Sequence, residues 1–472
     1  MDVTSKKFIP LADKAMADPA LQNSMKMLGL GLSARRQAAR EGLAEFDQLR
    51  DEARDIKNHT LEYLDVYLEA FEQRVIEQGG KVHWASTDAE AREAVLAICS
   101  QAGAKTVTKS KSMVTEEIEL VPFLERHGIV AVETDLGEYI IQLRHERPSH
   151  IIAPAIHLNK DQVSDTFFEH HRRLGFNERL TERADLVAEA RQVLRDKFIS
   201  ADVGISGANF LVAETGTVVL VTNEGNAELT TGLPDTHIVV TGIEKIVPTL
   251  EDASTFVRLL GRSAAGMEIS QYTSFITGPK RSGDPDGPTN FHVVLVDNGR
   301  SGMLGTGFQD MLRCIRCSAC LNHCPVYLSV GGHAYGSVYN GPMGAVLTPQ
   351  LAGLSESGHL PNASSFCGRC EEVCPVRIPL PEMMRAWRIR EFERNMTPAG
   401  MRWGLRAWNL MNRVPWLHRL STRVGLKLLR LLSSREGAFL TRMPLFAGKW
   451  TLHRDFRAPA GKTFMDQWRD RR

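Results

Sequence analysis

Apolar and polar positions follow two different periods along this chain. Through residues 1–78, apolar side chains recur at helical spacing among many charges, as at Leu61, Leu64, Leu68 and Phe71. This spacing predicts an N-terminal helical arm. From residue 79 to residue 300, short apolar runs of strand length alternate with longer segments of helical period. That alternation predicts an α/β domain built on a largely parallel sheet.

Within the α/β segment the expected elements are short. We predict strands at nine apolar runs: 81–85, 106–108, 129–133, 139–143, 151–153, 203–205, 218–222, 238–241 and 292–297. We predict helices at four longer runs: 88–102, 114–127, 162–174 and 181–200. A Gly-containing linker, 298–312, follows the last strand.

Composition is that of an ordinary soluble protein. The chain has 472 residues, of which 43% are hydrophobic and 24% are charged, as in typical globular domains. No apolar run approaches the roughly 18–20 residues that a membrane-spanning helix needs, and residues 1–10 lack the apolar core of a signal peptide. We therefore expect a cytoplasmic protein.

Charge changes this picture for the C-terminal extension, 385–472. It has 20 Lys and Arg against 6 Asp and Glu, a net charge of +14, so the remaining residues carry −13 of the chain's total of +1. It also holds six of the seven tryptophans: Trp387, Trp403, Trp408, Trp416, Trp450 and Trp468. A basic, Trp-rich extension predicts a docking surface. We favour a protein partner, with peripheral membrane contact as the second option and no nucleic acid, since no binding motif is recognised.

Seven of the eight cysteines lie within residues 314–374. In a reducing compartment such clustering favours metal over disulfides. The first four form C-x2-C-x2-C-x3-C followed by proline, the run of bacterial ferredoxins, in which three thiolates hold one cluster and the fourth ligates the other. These four are Cys314, Cys317, Cys320 and Cys324.

The second motif, Cys367, Cys370 and Cys374 followed by Pro375, matches the last three cysteines of the same run, and Ser364 stands where the first would be. Exchange of the remote cysteines between the two motifs then predicts the ligands. Cluster 1 takes Cys314, Cys317, Cys320 and Cys374, and cluster 2 takes Cys324, Cys367 and Cys370.

The fourth ligand of cluster 2 is open. We expect two [4Fe–4S] clusters, with the last iron of cluster 2 held by Ser364, another side chain, water or a ligand. Alternatively, cluster 2 is a [3Fe–4S] centre, or a partner chain supplies a cysteine. Cys99 lies in an apolar helical stretch, where a lone cysteine usually packs rather than ligates.

Zinc is the other metal to weigh, but zinc sites are usually closed by four ligands in C-x2-C pairs, which these runs do not resemble. We therefore predict a ferredoxin-type domain with two clusters over residues 301–384. The chain has neither a GxGxxG fingerprint nor a Walker motif. We predict that it passes single electrons and that another subunit assists with the two-electron chemistry of the substrate.

Four further stretches carry a family resemblance. Between the cysteine motifs lie GHAYG at 332–336 and GPMGAVLTP at 341–349, and upstream lie SGANFLVAETGT at 206–217 and NEGN at 223–226. Together with the cysteine motifs they resemble the lactate utilization protein B family, the iron–sulfur subunits of a three-part bacterial L-lactate oxidation system. The resemblance covers nearly the whole chain.

The resemblance implies fold, function and partners. It implies an α/β domain similar to the sugar-phosphate isomerase and CoA-transferase fold, and a second motif with three cysteines. It implies oxidation of L-lactate to pyruvate by an L-lactate dehydrogenase-type complex in which this chain is not catalytic alone. The implied partners are a cysteine-rich subunit and a smaller α/β-domain subunit.

In that fold, Gly/Thr-rich turns bind anions. Here Glu214, Thr215, Gly216 and Thr217 precede a predicted strand, and their N–H groups could form an anion nest for a carboxylate. The alternative is that Gly216 only allows a tight turn.

Two lysines and several histidines are further candidates. Lys109 and Lys111 follow a predicted strand and could meet a carboxylate or phosphate at its carboxyl end; we slightly favour a solvated loop. The spacing of histidines 145, 150 and 157 suits no simple metal site, so we interpret them as structural. Histidines 323 and 333 flank the first cysteine motif and could tune a cluster by hydrogen bonding, although we expect them to pack.

Two function classes remain open. The first is an electron-transfer subunit of a lactate-oxidising complex. The second is a redox-responsive α/β enzyme or ligand sensor for a small carboxylate or phosphate. A weaker third is Lewis-acid chemistry on a hydroxy acid at the open iron of cluster 2. Electron flow from lactate to the clusters, with partners present, separates the first class from the second.

Overall fold

A computed structural model gives the architecture of the chain. It describes residues 3–432, 439–440, 443, 448, 451, 454–459 and 461–471. By compactness the chain divides into two units, Met1–Arg390 and Glu391–Arg472. The predicted division at residues 1–78, 79–300, 301–384 and 385–472 is finer than this and stays a prediction.

The helices of the first unit occupy the N-terminal arm, the α/β segment and the cysteine-rich segment. In chain order they are α1 (Phe8–Met16), α2 (Pro19–Glu41), α3 (Phe46–Glu62), α4 (Leu64–Glu77), α5 (Asp88–Gln101), α6 (Met113–Glu117), α7 (Leu120–Arg126), α8 (Leu136–Leu143), α9 (Lys160–His171), α10 (Arg183–Ile199), α11 (Asn226–Gly232), α12 (Leu250–Ala265), α13 (Ala319–Asn322), α14 (Tyr327–Val330), α15 (Gly341–Leu351), α16 (Leu354–Ser357), α17 (Arg369–Glu372) and α18 (Leu380–Glu393).

The strands of the first unit form two sheets. They are β1 (Lys81–Ala85), β2 (Thr106–Lys109), β3 (Val130–Glu133), β4 (Val203–Ser206), β5 (Phe210–Val212), β6 (Thr217–Thr222), β7 (Thr236–Gly242), β8 (Ile246–Val247), β9 (Tyr272–Ile276) and β10 (Asn290–Val296). The larger sheet has the order β1-β10-β7-β4-β2-β3, and all its pairs are parallel. The smaller has the order β8-β5-β6-β9 and is mixed.

The central strands β4, β7 and β10 of the parallel sheet are buried on both faces, as their near-continuous apolar sequences require. In β7, Ile238 and Val240 pack into a core with α5 and α7, whereas Val239 between them faces the core that contains α4. Alternate residues of a strand point to opposite faces. The α/β fold class predicted from the sequence is confirmed.

The predicted N-terminal helical arm is present as α1 to α4. Its apolar stripe joins the core of the cysteine-rich segment: Met25, Leu28, Phe46 and Leu49 are buried in the same cluster as Cys317. The arm is therefore part of the support of the cysteine motifs.

Two of the nine predicted strands are wrong, and three strands of the smaller sheet were missed. Residues 139–143 lie in α8, which begins after Asp135, whose carboxylate accepts a hydrogen bond from the Glu138 N–H at 3.1 Å. This N-cap starts the helix, and the buried run of Tyr139, Ile140 and Ile141 faces protein. Residues 151–153 form bends and coil, not a strand. The sequence prediction missed β5, β8 and β9, which have only two to five residues each.

A buried ion network joins the α/β segment to the cysteine-rich segment. The Arg300 guanidinium lies 2.6 Å from a Glu117 oxygen and 2.8 Å from a Glu244 oxygen, with all three side chains at most 1% exposed. Tyr339 donates to Glu117 at 2.6 Å, and Arg316 pairs with Glu244 at 3.2 Å. Burial alone would raise the pKa of Glu244, but Arg300 and Arg316 hold that pKa at about 2.

The second unit carries α19 (Ala399–Arg413), α20 (Pro415–Leu431), the antiparallel pair β11 (Phe439–Leu440) and β12 (Phe456–Arg457), and α21 (Phe464–Asp470). Trp450 lies outside the described residues. Trp403, Trp408 and Trp416 are exposed on α19 and α20. Among the described helices, none combines the length and apolar character needed to cross a membrane.

We predict that Arg300→Met destabilises the first unit by about 3–5 kcal/mol, because it leaves two buried carboxylates without their cation. Urea unfolding followed by circular dichroism measures the change. Arg74→Met is the matched control, since Arg74 forms an exposed pair with Glu77 that contributes at most about 1 kcal/mol. Equal unfolding midpoints for the two variants would contradict the prediction.

Candidate metal centre and adjoining cavity

The cysteine motifs lie in tight loops whose turns need left-handed backbone. Arg316 and Ser318 have φ of 60° and 62°, and Gly368 has φ of 81°. Such conformations let a loop fold back on itself within a few residues. All eight cysteines are free of disulfides; of the seven in the motifs, Cys314 is half-buried, Cys367 is exposed and the others are buried.

The thiols interact in two groups. Burial, and next the thiols of Cys314 and Cys317, raise the pKa of Cys320 well above its usual value, and Cys374 adds to this. Burial followed by Cys374 raises the pKa of Cys317 to about 12. The structure thus brings together Cys314, Cys317, Cys320 and Cys374.

The second group is linked in the same way. Burial, and then the thiols of Cys324 and Cys367, raise the pKa of Cys370 to about 12. Cys370 also adds to the rise at Cys320, so the two groups are neighbours. The predicted ligand sets follow these groups, and the sets themselves stay predictions.

Ser364 lines one small cavity together with Cys324, Cys367 and Cys370. Its hydroxyl oxygen accepts a hydrogen bond from the Phe366 N–H at 3.2 Å. Arg388 fixes this loop: its guanidinium donates to the Ser364 carbonyl at 3.1 Å and lies 4.2 Å from the centre of the Phe366 ring. Ser364 therefore lies beside the thiols of the second group, and its role as a fourth ligand stays a prediction.

These donors fit iron–sulfur clusters. Soft thiolates are the ligands of such clusters, and buried thiols with raised pKa are stable as thiolates only when a cation compensates them. Backbone N–H groups already point at sulfur: Tyr327 donates to Cys324 Sγ at 3.5 Å and Ile378 to Cys374 Sγ at 3.4 Å. Hydrogen bonds of this kind tune the reduction potential of a cluster.

Positive side chains surround the first thiol group. From the arm, Arg36 donates to the Val373 carbonyl at 2.8 Å and Arg50 donates to the Cys374 carbonyl at 2.8 Å. On another side, Lys57, Lys245 and Arg316 all interact electrostatically with Cys314. These cations lower the cost of burying an anionic cluster.

A cavity of about 300 Å³ adjoins this centre at the carboxyl edge of the parallel sheet. Loops that follow β2, β3, β4 and β7 line it, together with the end of β6, helix α12 and Arg316 of the first cysteine motif. Ligands bind at this edge in open α/β sheets. The cavity and the metal centre therefore share one residue, Arg316.

One group of polar residues lining the cavity, Lys111, Asp135 and Glu224, carries more carboxylates than cations and forms an acidic wall. Lys111 is paired with Asp135 at 2.9 Å and also donates to the Ile152 carbonyl at 3.1 Å. Burial and the nearby Asp135 carboxylate raise the pKa of Glu224. A carboxylate with a raised pKa at a cavity is a common feature of functional sites.

The predicted anion-binding residues fall in different places. The interpretation of Lys109 as a surface lysine is wrong: it is 1% exposed and lies between Glu116, Glu133 and Glu138 at 2.9 to 3.5 Å. Three carboxylates neutralise it, and it does not line the cavity. Lys111 does line the cavity, so the surface interpretation is wrong there as well.

The turn of Glu214, Thr215, Gly216 and Thr217 joins β5 to β6 at the end of the hairpin away from the cavity. A Cβ on Gly216, whose φ is 67°, would lie 2.7 Å from the Val75 nitrogen. Glycine is thus needed for a tight turn against α4, which favours the simpler of the two interpretations.

The contacts of His150 and His323 agree with the interpretation as structural groups, whereas His145 and His333 are exposed, so the expectation that His333 packs is wrong. His150 is buried and bonded to Asn322 of the first cysteine motif at 2.8 Å, and burial lowers its pKa to about 4. His157 bonds Glu146 at 2.7 Å. His323 and His333 contact backbone carbonyls at 2.9 and 2.8 Å; His145 has φ of 54°. Cys99 is fully buried in the core, as predicted.

Comparison with known proteins decides the family. Residues 68–296 match the family model described as LUD domain, and residues 310–378 match the 4Fe-4S dicluster domain. Lactate utilization protein B of Geobacillus thermodenitrificans is 46% identical over 439 residues, which cover 93% of this chain and 91% of its own. This chain belongs to the lactate utilization protein B family.

Further comparisons agree. The Bacillus licheniformis protein of the same name is 43% identical over 475 residues, covering 100% of this chain and 98% of its own. A crystal structure of a DUF162 family protein from Deinococcus radiodurans matches 49% of this chain and 98% of its own at 15% identity, with a TM-score of 0.29, and supports no conclusion here. The predicted family and the ferredoxin-type domain are confirmed.

Several cavity residues were missed by the sequence prediction. Asn209, Asn223 and Glu224 belong to the family-typical stretches, which could have marked them. Thr241 and Lys245 follow an unremarkable apolar strand, and only the fold brings them to the cavity.

We predict that Gly216→Ala destabilises the first unit by roughly 1–3 kcal/mol more than Gly103→Ala, because only the first substitution overpacks its surroundings. Both glycines have positive φ, but a Cβ on Gly103 meets nothing within 4 Å. Thermal unfolding of both variants measures the difference. If the two substitutions cost the same, packing against α4 does not explain Gly216.

Proposed function

We propose that this chain is the iron–sulfur electron-transfer subunit of a complex that oxidises L-lactate to pyruvate. Membership in the family and the 4Fe-4S dicluster domain support a role in lactate utilization with iron–sulfur electron transfer. The observation that carries the proposal is the contact between the LUD-domain cavity and the first cysteine loop through Arg316. The named relatives supply the substrate.

The ligands follow from the two thiol groups. We assign cluster 1 to Cys314, Cys317, Cys320 and Cys374, and cluster 2 to Cys324, Cys367 and Cys370 with Ser364 in the fourth position. When bound, such clusters take up and release one electron at a time. Conversion of L-lactate to pyruvate breaks one O–H and one C–H bond and releases two protons and two electrons. The electrons leave to a redox partner protein.

Residues of this chain hold the loops in place for that role. Arg36 and Arg50 bind the backbone of the second motif from the arm. Arg388 holds the Ser364 loop. Because these contacts are made to backbone carbonyls, they fix the positions of the cysteines without competing for sulfur.

Two partner proteins complete the proposal, a cysteine-rich subunit and a smaller α/β-domain subunit. Helices α19 and α20 offer the docking surface. Between residues 399 and 431 there are seven Lys and Arg and no Asp or Glu, and Trp403, Trp408 and Trp416 are exposed. Tryptophan and arginine are the residues that most often anchor protein interfaces.

The cavity also favours the second function class, a sensor whose ligand affinity changes with cluster oxidation. Electron flow separates the two classes. Lactate added with the two partners should reduce the clusters of an electron-transfer subunit. In a sensor the clusters would stay oxidised under the same conditions.

We predict about eight irons and eight sulfides per chain after purification without oxygen, with two interacting [4Fe–4S] signals in electron paramagnetic resonance (EPR) spectra of the reduced protein. Iron, sulfide and zinc analysis of one sample provides the measurement. Zinc in place of iron would contradict the assignment. About seven irons with an oxidised [3Fe–4S] signal would show that Ser364 does not hold a fourth iron.

We predict that Ser364→Ala lowers the iron content of cluster 2 by about one iron and produces a [3Fe–4S] signal, whereas Ser364→Cys keeps the full content. Ser365→Ala is the matched control, because Ser365 is the exposed neighbour in the same loop. If the EPR spectrum of Ser364→Ala is unchanged, another ligand holds the fourth iron of cluster 2.

We predict that the double substitution Arg413→Glu and Arg419→Glu reduces copurification of the two coexpressed partners at least tenfold, since it reverses two exposed charges of the docking surface. Arg172→Glu with Arg173→Glu is the control, with the same change of charge at exposed positions of the first unit. If the double variant still copurifies with both partners but no longer binds anionic lipid vesicles, the surface contacts a membrane instead.

A further inference from the structure

One end of the cavity has polar groups without partners. Lys245 Nζ makes no hydrogen bond or ion pair with any described residue, and it lines the cavity. Two buried atoms of other residues that line the cavity, Thr241 Oγ1 and Arg316 Nη1, also have no hydrogen-bond partner. A buried donor without an acceptor is costly, so Thr241 Oγ1 and Arg316 Nη1 indicate an acceptor that binds from the cavity, and the unpaired ammonium of Lys245 in the same lining favours an anion.

Arg316 is built into this position. Its side chain is 10% exposed, and the guanidinium pairs with Glu244 through Nη2 at 3.2 Å, which leaves Nη1 free. The guanidinium carbon lies 5.0 Å from the centre of the Tyr339 ring. Arg316 lies between Cys314 and Cys317 and has left-handed backbone, with φ of 60°, a conformation that is sterically costly for a residue with a side chain.

The backbone on either side of Lys245 is fixed by the helical arm. The ammonium of Lys57, from the arm, donates to the carbonyls of Glu244 and Ile246, the latter at 3.1 Å. Burial, and then the repulsion from Arg316, lower the pKa of Lys245 to about 8. An anion between the two cations would remove this repulsion.

The other charges of the cavity do not compete for that anion. Lys111 is already paired with Asp135, and Glu224 belongs to the same acidic wall. Much of the remaining lining is apolar, including Ile151, Ile152 and Leu220. A volume of about 300 Å³ greatly exceeds the ~10–15 Å³ that one water needs. This combination suits a small organic carboxylate with an apolar body.

We propose that Lys245, Arg316 and Thr241 form a carboxylate-binding site within this chain, and that Arg316 couples its occupancy to the oxidation state of cluster 1. The site is a property of the fold alone. The coupling rests on the proposed function, because it requires the cluster at Cys314.

The sign of the coupling follows from charge. Lys245 and Arg316 both interact electrostatically with Cys314. One added electron on the metal centre competes with a carboxylate for these two cations. Reduction therefore weakens carboxylate binding, and by reciprocity a bound carboxylate makes the centre harder to reduce.

Isothermal titration calorimetry on the anaerobically purified full chain tests the site. L-lactate, pyruvate and inorganic phosphate are titrated separately into the oxidised protein. We expect at least one of the two carboxylates to bind, Lys245→Met to weaken that binding at least tenfold, and Thr241→Val to weaken it severalfold with little effect on folding. Lys105→Met is the control, because the exposed Lys105 precedes β2 at the other edge of the sheet.

Each part of the proposal has its own overturning result. No carboxylate binding at millimolar concentration, binding of phosphate alone, or equal affinity for the unaltered chain and Lys245→Met would overturn the site. Equal affinities for the oxidised and dithionite-reduced chain would overturn the coupling; we expect severalfold weaker binding after reduction. If the purified chain binds a carboxylate but contains no iron, the proposed site stands and the result counts against the proposed function. A chain that contains about eight irons but binds no carboxylate would overturn the site and leave the proposed function standing.

Discussion

The pairing of buried charges around Arg300 is the interaction on which the first unit depends. Arg300 lies just after the last parallel strand and binds Glu117 and Glu244, two carboxylates from different parts of the α/β segment. Arg316 and Tyr339 extend the network into the cysteine-rich segment. Buried ions of this kind are tolerated only in a fixed geometry, so the network sets where the first cysteine loop lies relative to the sheet.

The helical arm also contributes buried cations that fix the position of neighbouring loops. Arg36, Arg50 and Lys57 are buried cations that donate to backbone carbonyls of the second cysteine motif and of the segment around Lys245. Each bond orders a loop that carries functional residues. The helical arm, the LUD domain and the cysteine-rich segment therefore act as one structural unit, in agreement with the single compact unit from Met1 to Arg390.

Sequence patterns predicted the features that depend on residues close together along the chain. Cysteine spacing gave the two thiol groups, because ligands of one cluster must lie on one tight loop, and apolar runs gave most of the parallel strands. The cavity escaped prediction because its residues come from eight separate stretches of the chain, and Thr241 and Lys245 look like ordinary ends of a strand. Lys109 was misjudged because nothing in its neighbours along the chain shows that three glutamates fold around it. Residues 139–143 are apolar enough to form a strand, but the N-cap at Asp135 starts a helix that includes them.

The position of Cys367 makes the two thiol groups unequal towards oxidants. Cys317, Cys320 and Cys374 are buried and Cys314 is half-buried, whereas Cys367 is exposed at the edge of the second group. Oxidation of cysteine follows solvent access. Dioxygen and peroxide from solvent therefore reach Cys367 before the buried thiols, so the second motif is the more oxidation-sensitive of the two.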